Sequence, residues 1–358
     1  MPTRIRRRDL LAGMALGGTL PLAGIARGTQ PTQPIAFLVV SDTHYLADAD
    51  NPGRLDRRSR DVTTRFVDLL NGLPGSPLPE TIGGGVVPPL MGVLHTGDII
   101  DSGDKRGAAF ERMQRTEWAA FAADFGCEAG EGRLAFPMRE LHGNHDGPQG
   151  EGPACDGIAV RNRRRRDLTN VSADGLLCSW DWGHVHFVSL GIVVGSAPDA
   201  RQKRRYAPRG SLEFLVDDLA THVGSSGRPV VLAHHIDVAR AIRPCSEEDP
   251  DGGSREWHPC DARSFHAALG GTTVAGIFYG HTHARAIHAW DSEALDAADG
   301  LPVYNVDNAS HFGGGQQAFF LVTIDGTQVV VRECATGDGW QTHGWTPQTW
   351  TQPLGRTS

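Results

Sequence analysis

The chain has 358 residues, 39% hydrophobic and 21% charged, the make-up of an ordinary globular protein. A formal net charge of −8 at pH 7 speaks against a general binder of nucleic acid or anionic membrane. Six cysteines with no C-x-x-C pair speak against a structural zinc site.

At the N-terminus, Arg6, Arg7, Arg8, Asp9, Leu10 and Leu11 precede an apolar, Gly- and Ala-rich run from Ala12 to Ala26. A basic stretch followed by such a run resembles a twin-arginine export signal cleaved after Ala26. The run is a poor membrane span, which takes about 20 apolar residues. Losing Arg4, Arg6, Arg7, Arg8 and Asp9 with it takes the net charge from −8 to −11. The expectation is a periplasmic or secreted protein that engages the twin-arginine export machinery, with no stable membrane span and no nucleic-acid partner. Residues 27–34 read as a linker, 35–335 as one domain and 336–358 as a tail. In an oxidising compartment six cysteines allow about 15 pairings; Cys245 and Cys260, which bracket one polar loop, are the first pair to test.

Ile35 to Val40 has the pattern of a buried strand. Asp61 to Leu70 has helical spacing, 71–89 is Gly/Pro-rich loop, and Met91 to Leu94 is a short strand. Glu111 to Phe125 reads as a helix, and Leu134 to Leu141 leads out to another polar loop. A Gly-rich stretch and the run Arg161, Asn162, Arg163, Arg164, Arg165, Arg166 follow, then a hairpin of Leu177–Trp180 with Val185–Leu190. Leu212 to Ala220 is helical in pattern, Pro229 to Ala233 and Val274 to Tyr279 are strands, and 243–260 is a polar, acidic excursion. Val303–Val306, Ala318–Ile324 and Gln328–Arg332 alternate as hairpin strands. Strands that alternate with helices early and pair with one another late predict a layered α/β sandwich of mixed strand direction.

Five short polar motifs stand at these strand ends: Asp42 with His44, Asp98, Asn144 with His145 and Asp146, His234 with His235, and His281 with His283. Carboxylate, imidazole and amide donors converging from several strand ends suit two divalent metals, with Mn, Fe and Zn all compatible. Two metals need a shared ligand, and Asp98, at a sharp strand exit behind Gly97, is the natural candidate. A hydroxide between two such metals is a nucleophile at neutral pH, in line with a phosphorus it attacks. His145 is placed to protonate the leaving oxygen, with Asp146 holding its other nitrogen.

Taken in this order, the motifs from Asp42 to His283 resemble the calcineurin-like metallophosphoesterase family. The resemblance implies a four-layer αββα sandwich, with two mixed β-sheets flanked by helices and a metal site at the strand C-terminal ends. It implies one metal on Asp42, His44, Asp98 and His283, and another on Asp98, Asn144, His234 and His281. Here the family's His-x-Pro motif is His234, His235, Ile236; His234 is assigned because it comes first after the strand, with His235 as the alternative. Asp101 stands where purple acid phosphatases carry a tyrosine ligand, so a purple site is not expected.

The function this implies is an exported two-metal phosphoric-ester hydrolase acting on a small phosphorylated substrate. A monoesterase is preferred, because Arg161 and Arg163 would suit a second phosphate, as on an inositol phosphate or phosphoinositide headgroup. Asn308, with Ser310 and His311, is expected near the site rim. The alternatives are a phosphodiesterase for cyclic nucleotides or glycerophosphodiesters and, in another class, a non-catalytic metal-binding scaffold. A nuclease is disfavoured by the acidic surface. Trp180 and Trp182 are expected to pack in the sandwich, and His95, His184 and His186 to be structural.

Overall fold

Ile35–Val40 forms a strand whose residues divide by parity between two cores, and that division organises the molecule. The computed structural model describes residues 33–196, 204–242, 256–311 and 315–355, all in the unit Thr32–Ser358. The export segment and most of the linker lie outside the described residues.

Along the chain come β1 (Ile35–Val40), α1 (Arg57–Gly72), β2 (Val93–His95), α2 (Ala108–Asp124), β3 (Met138–Glu140) and α3 (Pro153–Arg164). Next are β4 (Leu168–Val171), β5 (Cys178–Trp182), β6 (Val185–Ser189), α4 (Ser211–Asp218), β7 (Pro229–Ala233) and α5 (Pro259–Ala268). The last strands are β8 (Thr273–Tyr279), β9 (Ala286–Trp290), β10 (Leu301–Asn305), β11 (Gln317–Ile324), β12 (Gln328–Thr336) and β13 (Gly344–Pro353). They build a six-stranded sheet, β13-β12-β11-β1-β2-β3, and a seven-stranded one, β4-β5-β6-β7-β8-β10-β9. Both mix parallel and antiparallel pairs.

Successive strand residues face opposite ways. Ala36, Leu38 and Val40 therefore pack under α1, α2 and α3, while Ile35, Phe37 and Val39 point between the sheets. Phe37 meets Phe187 edge-on at 5.1 Å and lies 5.8 Å from Trp182, so both hairpin tryptophans serve the inter-sheet core as expected. A third core holds α4 and α5 against the outer face of β7, β8 and β10. These are the four αββα layers. The Asp56 carboxylate caps α1 by accepting from Ser59 N at 3.0 Å, which sets the phase that buries Val62, Phe66 and Leu70.

Two late segments differ from their sequence reading. Val303–Val306 does not join the closing hairpin: β10 lies in the second sheet, parallel to β8 and antiparallel to β9. Within the expected tail, Gly344–Pro353 is a strand, since β13 pairs antiparallel with β12 at the edge of the first sheet. No helix among the described residues is long and apolar enough to cross a membrane. Cys260 is disulfide-bonded, Cys127, Cys155, Cys178 and Cys334 are free, and Cys245 lies outside the described residues.

Candidate metal centre

Parallel pairing brings strand ends level. Val40, His95 and Glu140 are aligned across β1, β2 and β3, so the loops carrying Asp42, Asp98 and Asn144 leave at one edge. In the second sheet Ala233 aligns with Phe278, and Tyr279 with Asn305, which brings the loops after β7, β8 and β10 to the same end. Ligand sites of open α/β sheets lie in such a crevice, outside the carboxyl ends of the strands.

The loops then lock together through their backbones. Asp42 N donates to Gly97 O at 2.9 Å and His44 N to Asp98 O at 3.1 Å. Gly143 and Gly280 must be glycine, because a Cβ at the first would collide with Asp98 Oδ1 and at the second with Asp42 Oδ2. Five side chains of the cluster, on Asp42, His44, Asp98, His281 and His283, sit on left-handed backbone with φ between 40° and 76°. Such strain in non-glycine residues costs about 1–3 kcal/mol each and gathers at functional sites.

Four groups among the described residues could hold a metal ion: Asp42–His44–Asp98 and Asp98–His235–His281, which share Asp98, and His44–Asp101–His145 and His44–His283–His311 around them. His283 joins the first: its Nε2 is 3.2 Å from Asp42 Oδ1 and 3.2 Å from His44 Nε2. Asn144 joins the second, its Oδ1 lying 3.1 Å from His235 Nε2, which is also 3.1 Å from Asp98 Oδ2. Carboxylate oxygens, imidazole nitrogens and one amide oxygen form a donor set that fits two divalent cations, with the buried Asp42 Oδ1 faced by His283 Nε2 and His44 Nε2 at 3.2 and 3.7 Å.

The imidazoles are oriented from behind, as metal-facing histidines are. His235 Nδ1 donates to Thr96 O at 2.8 Å, which turns Nε2 toward Asp98 Oδ2. His44 Nδ1 lies 3.3 Å from Asp101 Oδ1, and His281 Nε2 lies 3.1 Å from Glu256 Oε2. Burial opposes charge on His44, yet Asp101, Asp42 and Asp98 together raise its pKa to about 10. His235 is likewise raised to about 9, against its burial, chiefly by Asp98. Burial would raise the Asp42 carboxyl, but His283 and His44 hold it well below the usual range. A field that favours protons on buried imidazoles also favours cations between them.

The structure corrects several sequence expectations. His234 is not in the cluster. Residues alternate along β7, so Val230, Leu232 and His234 face α5 while Val231, Ala233 and His235 face inward. The His234 ring stacks on Tyr279 at 5.2 Å and 10°, with Trp257 edge-on at 4.9 Å. Asp146 does not hold His145. Its carboxylate accepts from the backbone N–H of Ile99, Ile100 and Gly143 at 2.7–2.9 Å, tying the loops after β2 and β3 together. Burial, then the Asp98 charge, pushes its pKa up to about 7. His145 Nδ1 donates instead to Asp101 O at 3.2 Å, with Asp104 Oδ1 at 3.6 Å.

The arginines also serve other ends. Arg161 Nε lies 2.9 Å from Glu140 Oε1, and Arg165, one helical turn on, lies 2.7 Å from Glu140 Oε2. Arg163 donates to the Ala173 and Asp174 carbonyls at 3.1 and 2.6 Å. These side chains anchor α3 and do not reach the cluster. Asn308 is a brace: its Oδ1 accepts from His311 N at 3.0 Å and its Nδ2 donates to Gln316 O at 3.1 Å. The residue it presents, His311, stands 4.7 Å from the His44 ring and 4.5 Å from that of His283. His95 is structural, its Nε2 3.0 Å from Thr43 Oγ1 and its Nδ1 accepting from Gly97 N at 3.2 Å. His186 bridges Asp181 and Asp218 at 2.7 Å each, and His184 lies 3.2 Å from Asp325 O, both away from the centre.

A two-sheet sandwich with a shared-carboxylate cluster at its strand ends is a class of scaffold built to accommodate a pair of metal ions. The chain belongs to the calcineurin-like phosphoesterase family, whose model matches residues 35–285. Among solved structures, a dimetal phosphatase from Danio rerio is 14% identical, with 91% of this chain and 100% of that chain covered and a TM-score of 0.51. A vacuolar protein sorting 29 from Cryptosporidium parvum is 11% identical over 89% of this chain and 98% of that chain, with a TM-score of 0.34. A predicted phosphoesterase from Streptococcus pneumoniae is 11% identical over 90% and 98%, with a TM-score of 0.33. No curated protein matches the chain.

Proposed function

We propose that the protein is an exported phosphoric-ester hydrolase with a two-metal centre, acting on small phosphomonoesters. The observation that carries this reading is that Asp98 links two candidate ligand groups, Asp42–His44–Asp98 and Asp98–His235–His281. One cation would be held by Asp42, His44, Asp98 and His283, the other by Asp98, Asn144, His235 and His281. When bound, the pair would neutralise the phosphoryl oxygens and activate water as the nucleophile.

The chain's own residues account for the remaining chemistry. Asp101, Thr96 and Glu256 fix the ring orientations of His44, His235 and His281. With Nδ1–H given to Asp101 O, His145 keeps Nε2 for the leaving oxygen. Asp146 acts as a positioning residue that holds Asp98 and Asn144 in register. The imidazoles of His44, His145, His283 and His311 crowd one rim, where a ring N–H of His311 can donate to a phosphoryl oxygen. Export is supported by Arg6, Arg7 and Arg8 ahead of the apolar run, and by the disulfide at Cys260, which suits an oxidising compartment.

The test is metal content together with turnover of p-nitrophenyl phosphate and its bis ester in Mn and in Zn. We expect about two metals per chain, faster hydrolysis of the monoester, and a loss of about 10²-fold or more in His145→Ala. Asp98→Asn should lower the metal content below two. Metal binding with no turnover of any ester would make the protein a scaffold, and two metals retained in Asp98→Asn would refute the shared carboxylate.

A further inference from the structure

A cavity of about 320 Å³ opens beside the centre, lined by His311, Arg58, Arg65, Gln317, Gln341 and Gly339 among others. His311 is the side chain that cavity and cluster share, packed against His44 and His283. We propose that this cavity receives the body of the substrate and that Arg58 and Arg65 bind a second phosphate on it. The inference rests on the phosphoesterase reading above and names its substrate class.

Charge is the first argument. Neighbouring arginines of α1 are spent locally, Arg57 lying 3.7 Å and Arg60 3.1 Å from the carboxylate of Asp61. Arg58 has no ion pair among the described residues, and Arg65 uses Nε to donate to Gly339 O at 2.8 Å, leaving its terminal nitrogens for a ligand. The cavity's carboxylate, Asp338, makes no ion pair with either arginine among the described residues, so the lining keeps a net positive charge. It closes its own turn by accepting from Thr336 Oγ1 at 2.7 Å, Gln341 N at 3.0 Å and Thr342 N at 2.9 Å. Two guanidinium groups without carboxylate partners suit a phosphate, which takes paired N–H donors.

Geometry is the second. Arg58 and Arg65 are seven residues apart on α1, two turns, so they share a face of a capped helix. The opposite wall is tied to the metal loops. Ser310 Oγ donates to Thr43 O at 2.6 Å and Ala309 N to Ser41 O at 2.8 Å, so His311 holds a set position relative to His44. At about 320 Å³ the cavity is at the small end of ligand pockets. That admits a sugar or polyol phosphate.

Glucose 1-phosphate and glucose 1,6-bisphosphate serve as probes, with affinity to the Mn-loaded full chain read by calorimetry and kcat/KM read in parallel. The bisphosphate should bind about tenfold tighter or more, and Arg58→Gln with Arg65→Gln should bring the ratio close to one. Arg58→Gln alone should lower the ratio severalfold, which keeps the test valid should the Arg65 change unfold the loop at Gly339. Arg57→Gln, at an arginine paired outside the cavity, should keep the wild-type ratio. Equal binding of the two probes by the wild type, or an undiminished ratio in the double variant, overturns the proposal. Failure of the phosphoesterase reading looks different: no turnover of either probe, with the binding ratio and its loss intact.

Discussion

The adjacent histidines after β7 give the sharpest test of the metal centre. His234 is fully buried among Tyr279, Trp257 and Phe265, and neither ring nitrogen has a hydrogen-bond partner among the described residues. Burial, then the neighbouring His235 charge, pushes its pKa down from 6.5 to about 3. In the unfolded chain the group titrates near 6.5, so between these values the unfolded state binds the extra proton. Stability supplied by the neutral ring is therefore complete above about pH 6.5 and falls as acid is added. At about 1.4 kcal/mol per pH unit, the loss is about 2 kcal/mol at pH 5 and almost nothing at pH 7. His234→Phe keeps the stack, removes the titration and removes two unpartnered nitrogens, which is close to neutral at pH 7. Urea unfolding at pH 5 and pH 7, with p-nitrophenyl phosphate turnover in Mn, measures both consequences. His234→Phe should gain about 2 kcal/mol over wild type at pH 5 only and retain turnover. His235→Ala should lose about 10²-fold or more in turnover, with weaker binding of the second metal. Equal loss of turnover in both variants, or no pH-dependent gap, would refute the assignment of His235 to the centre and His234 to the core.

Two further outcomes follow from the contacts around the site. Glu256→Gln removes the charge 3.1 Å from His281 Nε2, and calorimetry should show one metal binding about tenfold more weakly; unchanged affinity for both would remove Glu256 from the centre. Phe37→Ala empties a buried position between the sheets, where Trp182, Phe187 and Phe278 meet. Denaturant unfolding should show a loss of about 3–5 kcal/mol, and a loss under about 1 kcal/mol would mean that the inter-sheet core closes around the gap.

Much of this was legible in the residues alone. The apolar runs at Ile35–Val40, Pro229–Ala233 and Val274–Tyr279 became β1, β7 and β8, and the polar loops behind them carry Asp42, His44, His235, His281 and His283. Local pattern suffices there, because a buried strand must be followed by a polar exit. The orienting groups were harder to see. Asp101 stood out only as the absence of a tyrosine, Asp104 and Glu256 carry no motif, and His311 follows a loop that local pattern placed only loosely. Each acts across a long separation, Glu256 on His281 and Asp101 on His44, so no local signal reports it. The arginine run misled because exposed and buried cations look alike in sequence. Its members at 161 and 165 are one turn apart, and both met Glu140.

By itself, the sequence determined the family, the layered strand-and-helix order and the side chains able to meet a metal, since these depend on residue type and short-range spacing. Which of two adjacent histidines turns inward depends on long-range packing. Parity along β7 separates His234 from His235, but a strand has two faces, and its surroundings choose which one meets the other sheet. Burial among Tyr279, Trp257 and Phe265 of α5 claims the even face, and the odd face is left to Asp98. The same long-range packing gave Asp146 to the backbone and His311 to the cluster.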